Sequence, residues 1–71
     1  MEIRLLDVVM LTQNVPKYNL NRGERGTVAE VLSNGKAFEI EFVDSNSGYT
    51  YALVTLCPSQ LRVLHTYCID K

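Results

Sequence analysis

Alternation of apolar and charged side chains within residues 37–44, strict from Phe38 to Phe42, is the feature that most constrains the fold of this chain. Phe38, Ile40 and Phe42 fall at every second position, and glutamates stand between them. Successive side chains of a β-strand point to opposite faces, so this pattern predicts a strand with one buried and one solvated face.

Turn and loop residues divide the rest of the chain into short apolar runs that are typical of strands. Asn-Gly at 34–35 favours a type I′ hairpin, and Ser-Asn-Ser-Gly at 45–48 closes a second hairpin. Gly23 and Gly26 suit a tight turn, because glycine tolerates positive φ and lets backbones approach closely. The predicted strands cover residues 7–12, 26–32, 37–44, 49–56 and 62–65, with a 3₁₀ turn at 58–61.

The predicted core takes one face of each strand. Strand 4 is apolar on both faces, so its pattern leaves the register open. Val15, Tyr18 and Leu20 interrupt the polar loop at 13–21, and at least one of them is expected to fold over an open end of the sheet. The core residues predicted are Val8, Met10, Val28, Val31, Phe38, Ile40, Phe42, Ala52, Leu56, Leu61 and Val63.

Five short strands, two hairpins, a long first loop and a 3₁₀ turn before the last strand predict an all-β fold. The specific expectation is a small five-stranded SH3-like barrel, whose closure removes exposed sheet edges. A chain of 71 residues makes one domain. We expect a single domain over residues 1–71, with its core at about 5–65 and a C-terminal tail at 66–71.

Two stretches resemble known families. Residues 22–31 read Arg-Gly-Glu-Arg-Gly-Thr-Val-Ala-Glu-Val and resemble a KOW-type segment, the glycine-hinged hairpin of several SH3-like barrels that often meet RNA. A wider match resembles a family of small, uncharacterised bacterial proteins of unknown function, often cyanobacterial. It rests on Leu6-Asp7-Val8-Val9, residues 37–44 and residues 51–56, and it extends from Leu5 to Leu64. The resemblance implies an SH3-like fold, no known activity, and an antitoxin- or immunity-like role toward the product of a neighbouring gene.

Charge and hydropathy argue against nucleic-acid tails and membrane segments. Seven basic and eight acidic residues are interspersed, which gives a net charge of −1 without any run of like charge. No apolar run approaches roughly 20 residues, the length that spans a bilayer, and we expect residues 1–7 to be neither a signal peptide nor an anchor. We therefore expect a cytoplasmic protein in which Cys57 and Cys68 are free thiols.

No catalytic, cofactor-binding or metal-binding residues are predicted. Cys57, His65 and Cys68 lack the paired spacing of a zinc site. A Cys57–His65 nucleophile pair would need a deep pocket, which a small barrel does not offer. No helix follows Gly23 and Gly26 to hold a phosphate. The chain is accordingly interpreted as a protein that is not an enzyme and has no cofactor.

The carboxylates of strand 3 define the predicted interaction surface. Glu39 and Glu41 share one face, and Glu30 is expected on the neighbouring strand across the hairpin. Such a cluster is most often a solvated face, and it is also compatible with cation binding, glycosidic acid–base chemistry or the docking of a basic partner. The candidate surface comprises Arg22, Arg25, Glu30, Glu39, Glu41, Tyr49 and Tyr51.

The leading functional hypothesis is a non-catalytic module that binds another protein. The alternative is a KOW-type nucleic-acid-binding module that uses Arg22 and Arg25, with Lys17 nearby. Glu24 between the two arginines and an isoelectric point of about 5.7 argue against that alternative. Self-association as a homodimer through Leu5 and Leu6 or the apolar stretch at 67–69 is a further expectation.

Overall fold

The structure of the protein, a computed structural model, describes residues 2–66 and is all-β in that range. Three short 3₁₀ helices lie in the connections, at Pro16–Tyr18, Ser33–Gly35 and Pro58–Gln60. The predicted all-β fold, with five strands and a 3₁₀ turn before the last strand, is confirmed. The strands are β1 (Val8–Leu11), β2 (Arg25–Leu32), β3 (Ala37–Val43), β4 (Thr50–Leu56) and β5 (Leu61–His65).

The five strands form one antiparallel sheet in the order β4-β3-β2-β1-β5. The two strands at its ends, β4 and β5, each pair with a single neighbour within residues 2–66. The sheet therefore keeps two free edges, whereas the closure expected from the sequence would have removed them. Most of the predicted tail and Cys68 lie outside the described residues.

The alternation along β3 identifies its buried face correctly. Phe38, Ile40 and Phe42 are all buried, and the residues between them are partly exposed. Pairing with β3 settles the register of β4 that the sequence left open: Val54 and Leu56 are buried opposite Ile40 and Phe38. Val54 was absent from the predicted core. The buried apolar residues are Val9, Leu11, Val15, Leu20, Val28, Phe38, Ile40, Phe42, Val54, Leu56 and Leu61.

The predicted core face of β1 is wrong. Val9 and Leu11 are buried, whereas Val8 and Met10 are only half-buried. All four residues of the strand are apolar, so alternation carries no information there. The face is set by the ladder, which pairs Val9 with Gly26 of β2 and with Val63 of β5.

Both ends of the sheet depart from the simple strand pattern. Val15 and Leu20 form an isolated bridge and are buried, as expected for a loop that folds back onto the core. Val31 was predicted in the core, yet it is 40% exposed. It pairs with Phe38 at the far end of β2, where it lines an open cavity instead of packing under another strand.

The hairpin between β2 and β3 lies where the sequence placed it, and Asn34 and Gly35 have the left-handed φ values of the predicted type I′ turn, closed by a hydrogen bond from the Lys36 N–H to the Ser33 carbonyl. Leu32 pairs with Ala37, and residues 33–36 form the loop. Ser33, Asn34 and Gly35 all have positive φ. This run of left-handed residues explains why Asn and Gly occur here, since both tolerate that conformation better than other residues.

Candidate functional site

A β-bulge in β2 assembles the cluster of carboxylates. Val28 pairs with Ile40 of β3, but the next paired residue, Glu30, pairs with Glu39. In a regular strand Glu30 would share the buried face of Val28, because residues two apart point to the same side. The irregularity at Ala29 turns Glu30 to the outer face, directly opposite Glu39.

The outer face of β2 and β3 thus carries three adjacent carboxylates. Glu30, Glu39 and Glu41 occupy neighbouring positions on it, and we call these three residues the acidic surface. The single ion pair within residues 2–66 joins Arg4 and Glu2, so no basic side chain of the described chain neutralises the surface. Glu41 accepts a hydrogen bond from the Thr50 hydroxyl of β4, which orients one of the three carboxylates.

The turn after β3 presents an exposed tyrosine. The Asp44 carboxylate accepts hydrogen bonds from the backbone N–H and the hydroxyl of Ser47, at 3.1 and 2.8 Å. The backbone N–H of Asp44 donates to the Tyr49 carbonyl at 2.8 Å, and the Tyr49 N–H donates to Ser47 Oγ at 3.1 Å. This network fixes the backbone of a residue whose side chain is 70% exposed, Tyr49.

Tyr51 has a different environment from the one expected. A register shift between Phe42 and Val43 lies opposite it, and its ring centroid is 6.2 Å from that of Phe42. Its hydroxyl donates to Glu24 Oε1 at 2.9 Å, and Glu24 Oε2 in turn accepts from the Asn21 N–H. Partial burial raises the pKa of Tyr51 above its ordinary value of 10.0. The hydrogen bond to Glu24 and the negative charges of Glu24 and Asp44 raise it further.

Neither predicted arginine forms an ion pair with the acidic surface within residues 2–66. Arg25 pairs with Met10 at the start of β2, and Arg22 belongs to the preceding loop, where its N–H donates to Asn14 Oδ1 at 2.8 Å. Arg62 of β5 pairs with Met10 from the other side. The fold therefore brings Arg25 and Arg62 to the two flanks of Met10, a juxtaposition across 37 residues of sequence (62 − 25) that no local pattern indicates.

The N-terminal segment covers the end of the sheet near the β2–β3 hairpin. Ile3 lines two cavities, of about 300 and 550 Å³, and it separates Val31 and Phe38 on one side from Leu61 and Val63 on the other. Both cavities have polar side chains on their rims, and neither gathers a catalytic set.

Asp7 is the one buried charged residue in the described chain, and it was not among the predicted site residues. Its side chain anchors the turn that leads into β1, because its Oδ2 accepts from the Arg4 N–H at 2.8 Å. The other oxygen, Oδ1, has no hydrogen-bond partner within residues 2–66, although the residue is only 1% exposed. The signal in the sequence that could have identified it is an acidic residue placed immediately before the apolar run of β1.

The remaining reactive side chains stay apart in the described part of the chain. Cys57 is exposed as a free thiol, and Cys68 lies outside the described residues. Within residues 2–66, no three His, Cys, Asp or Glu side chains converge with the geometry of a metal site, the acidic surface included. No helix in this range is long and apolar enough to cross a membrane.

Comparison with known families shows which group of proteins has this sequence pattern. Residues 5–63 match the model of a family described as a domain of unknown function, DUF4926. The chain belongs to this family, since the match covers most of its length, including all five strands except the last residues of β5. No curated protein and no solved structure matches the chain.

Proposed function

We propose that this DUF4926 domain is a non-catalytic protein-interaction module, an SH3-like domain that binds a basic segment of another protein through the acidic surface. The observation that carries the proposal is the outer face of β2 and β3. Three carboxylates are adjacent there, and no basic side chain pairs with them within residues 2–66. The strand order and the 3₁₀ turn before β5 support the SH3-like assignment.

The energetics of the acidic surface favour a binding function over simple solvation. Like charges directly opposite each other on neighbouring strands are destabilising. Glu30 and Glu39 are such a pair. If the face served only to keep the domain soluble, interspersed acidic and basic side chains would do so without the repulsion between adjacent carboxylates. A cluster of adjacent carboxylates, by contrast, attracts a basic partner, speeds its encounter with the surface and disfavours acidic competitors.

Tyr49 is a candidate anchor for the partner, because it precedes Thr50, whose hydroxyl binds the Glu41 carboxylate of the acidic surface. Tyrosine is enriched among the residues that dominate binding energy, because it offers a large amphipathic area at small conformational cost. Tyr49 is 70% exposed, and hydrogen bonds fix its turn before any partner arrives. We expect the partner to place an apolar group against Tyr49 and Lys or Arg side chains over Glu39 and Glu41.

The experiment is affinity capture with the tagged domain from a lysate of the source organism. Charge-reversal variants at different positions on the domain are compared as baits. The wild-type domain should retain a specific protein, and Glu39→Lys/Glu41→Lys should reduce the retained amount about tenfold or more, as expected when a complementary charge pair becomes repulsive. The single variant Glu39→Lys should also bind more weakly than Glu2→Lys, which makes the same charge change at the N-terminus.

Two results decide against the proposal. One is the absence of any enriched protein in repeated captures at low salt. The other is equal binding by Glu39→Lys and Glu2→Lys. The product of the neighbouring gene is the first partner to test, by co-expression and co-purification, because an antitoxin- or immunity-like role requires a direct complex with it.

A nucleic-acid-binding module is the second candidate, and the arginines beside Met10 favour it. Arg25 and Arg62 flank this residue on the strands β2 and β5, and neither forms an ion pair with the acidic surface within residues 2–66. Phosphate contacts by arginine would make binding fall steeply with salt. A gel shift with single-stranded RNA at low salt, weakened by Arg25→Glu and by Arg62→Glu, supports this candidate. No shift at low salt excludes it.

A further inference from the structure

The outer edge of β4 is a free sheet edge without the usual protection. β4 is the last strand of the sheet, and within residues 2–66 it pairs only with β3. Every second residue of such a strand directs its backbone N–H and C=O away from the sheet, ready to pair with another strand. Proteins commonly guard such edges with charged residues or proline. Between Asp44 and Pro58 the chain contains neither.

The opposite edge of the same sheet shows the protection that β4 lacks. β5 carries the charged side chain of Arg62, which is exposed. Charged side chains on an edge strand oppose pairing, because the incoming strand would have to desolvate them. The two edges of this sheet therefore differ: β5 is guarded and β4 is open.

The side chains of β4 are as suited to pairing as its backbone. Leu53 is 55% exposed although it lies in the middle of a strand, and Thr55 is exposed beside it. Branched and apolar residues are the ones that pair best across strands. An exposed, uncharged strand edge of this kind is expected to be covered in the working protein.

We propose that the occupant of this edge is a second copy of the chain. The two β4 strands would pair antiparallel across a two-fold axis, which joins two five-stranded sheets into one continuous sheet. Centred on Val54, this pairing puts Leu53 of each copy opposite Thr55 of the other and Ala52 opposite Leu56. The sequence of the strand is thus complementary to itself.

A second copy fits this edge better than a foreign segment. β4 offers no charge and no side-chain pocket by which a different sequence could be selected, whereas self-pairing requires only the pattern already present. The acidic surfaces do not oppose it. The two β3 strands would be three strand spacings apart, about 14 Å, which exceeds the Debye length of about 8 Å at physiological salt.

The dimer would have a consequence for binding, and this part alone rests on the proposed function. Both acidic surfaces would lie on one continuous sheet, so a partner with two basic segments could engage both. Such bivalent binding raises apparent affinity without any new contact. The dimer itself does not depend on whether a partner binds the acidic surface.

Sedimentation analysis of the purified full chain tests the dimer. The protein concentration should run from about 10 µM to about 1 mM, because a small interface dissociates at low concentration. Wild type should approach twice the monomer mass of 8.0 kDa. Leu53→Lys should weaken dimerisation about tenfold or more, since the two-fold axis makes one substitution count twice. The matched control is Leu64→Lys, an exposed leucine on β5, which should leave dimerisation unchanged.

Hydrogen exchange makes the test independent of any folding defect in a variant. In wild type, the β4 amides that face away from β3 should gain protection as concentration rises, while those of β5 should not. Three results overturn the proposal: a monomeric wild type at the highest concentration, a dimer weakened equally by Leu64→Lys and Leu53→Lys, or β4 protection that does not depend on concentration. Loss of capture by Glu39→Lys/Glu41→Lys with an intact dimer separates the two proposals.

Discussion

At the scale of single residues, Gly26 shows how one position limits the approach of two strands. It lies on β2 with ordinary φ, so its backbone conformation does not require glycine. An added Cβ would lie 2.5 Å from Ile40 Cγ2 and 2.9 Å from the Glu41 carbonyl oxygen. The backbone contact cannot yield without moving β3, which supports the acidic surface.

Gly26→Ala should lower the free energy of unfolding by about 2–3 kcal/mol, because overpacking displaces the strand. Urea denaturation measures the loss. Gly23→Ala is the matched control: no atom lies within 4 Å of the added Cβ, but φ is +94°, so only backbone strain of about 1 kcal/mol is expected. Equal losses for the two variants would contradict the steric explanation.

The Tyr51 hydroxyl provides a prediction about pH. Partial burial and the bond to Glu24 raise its pKa, so the neutral form is favoured in the folded chain. The associated stability is fully present below about pH 10, the ordinary tyrosine pKa, and is lost as pH rises through the higher pKa of the folded state. In an ultraviolet titration, Glu24→Gln should lower the pKa of Tyr51 part of the way, since burial remains. An unchanged titration would show that the bond to Glu24 has no influence.

At the scale of elements, the pairing of β2 with β3 decides the charge pattern. The carboxylates on β3 follow from simple alternation, whereas Glu30 joins them only because of the irregularity at Ala29. A bulge of this kind depends on how two strands twist together, and the local sequence carries no marker for it. Sequence reasoning could therefore expect Glu30 on the neighbouring strand, but it could not establish that Glu30 lies directly opposite Glu39.

Relief of this opposition should stabilise the domain. Glu30→Lys replaces a like-charge pair with an opposite-charge pair and should raise the free energy of unfolding by about 0.5–1 kcal/mol. The gain should shrink in high salt, because salt screens exposed charges. Glu2→Lys makes the same change in net charge away from the sheet and should not stabilise, since it breaks the ion pair with Arg4. An equal gain in both variants would point to net charge as the cause.

The strands also show where alternation is informative. On β3 apolar and charged residues alternate, and the predicted buried face is correct. On β1 all four residues are apolar, and the predicted face is wrong. Only the pairing of β1 with β2 and β5 decides which of its faces is inside.

At the scale of the whole molecule, the N-terminal segment completes the hydrophobic core. Ile3 packs against the core cluster and separates two cavities at the end of the sheet. A short domain has few apolar contacts to spare, so a single residue outside the strands can matter to stability. Nothing in the sequence around Ile3 indicated this, because a lone apolar residue near a terminus has no periodic neighbours.

Truncation of the Ile3 side chain should destabilise the fold more than truncation of Leu5. Ile3→Ala should lower the free energy of unfolding by about 1–2 kcal/mol, less than for a fully buried isoleucine, because the site is only partly enclosed. Leu5→Ala is the control, since Leu5 is exposed and should cost little. Thermal denaturation followed by circular dichroism measures both. Equal melting temperatures for Ile3→Ala and Leu5→Ala would contradict the conclusion that Ile3 completes the hydrophobic core.

The sequence by itself determined the positions of the strands and hairpins, the 3₁₀ turn, and the acidic outer face of β3, because periodicity and turn chemistry are local properties. Tertiary structure alone decided the inward face of β1, the position of Glu30 opposite Glu39, the link between Tyr51 and Glu24, and the free edge of β4. These features depend on which strands lie side by side and on where a ladder slips. Such relations arise between segments distant in the chain, so no local pattern encodes them.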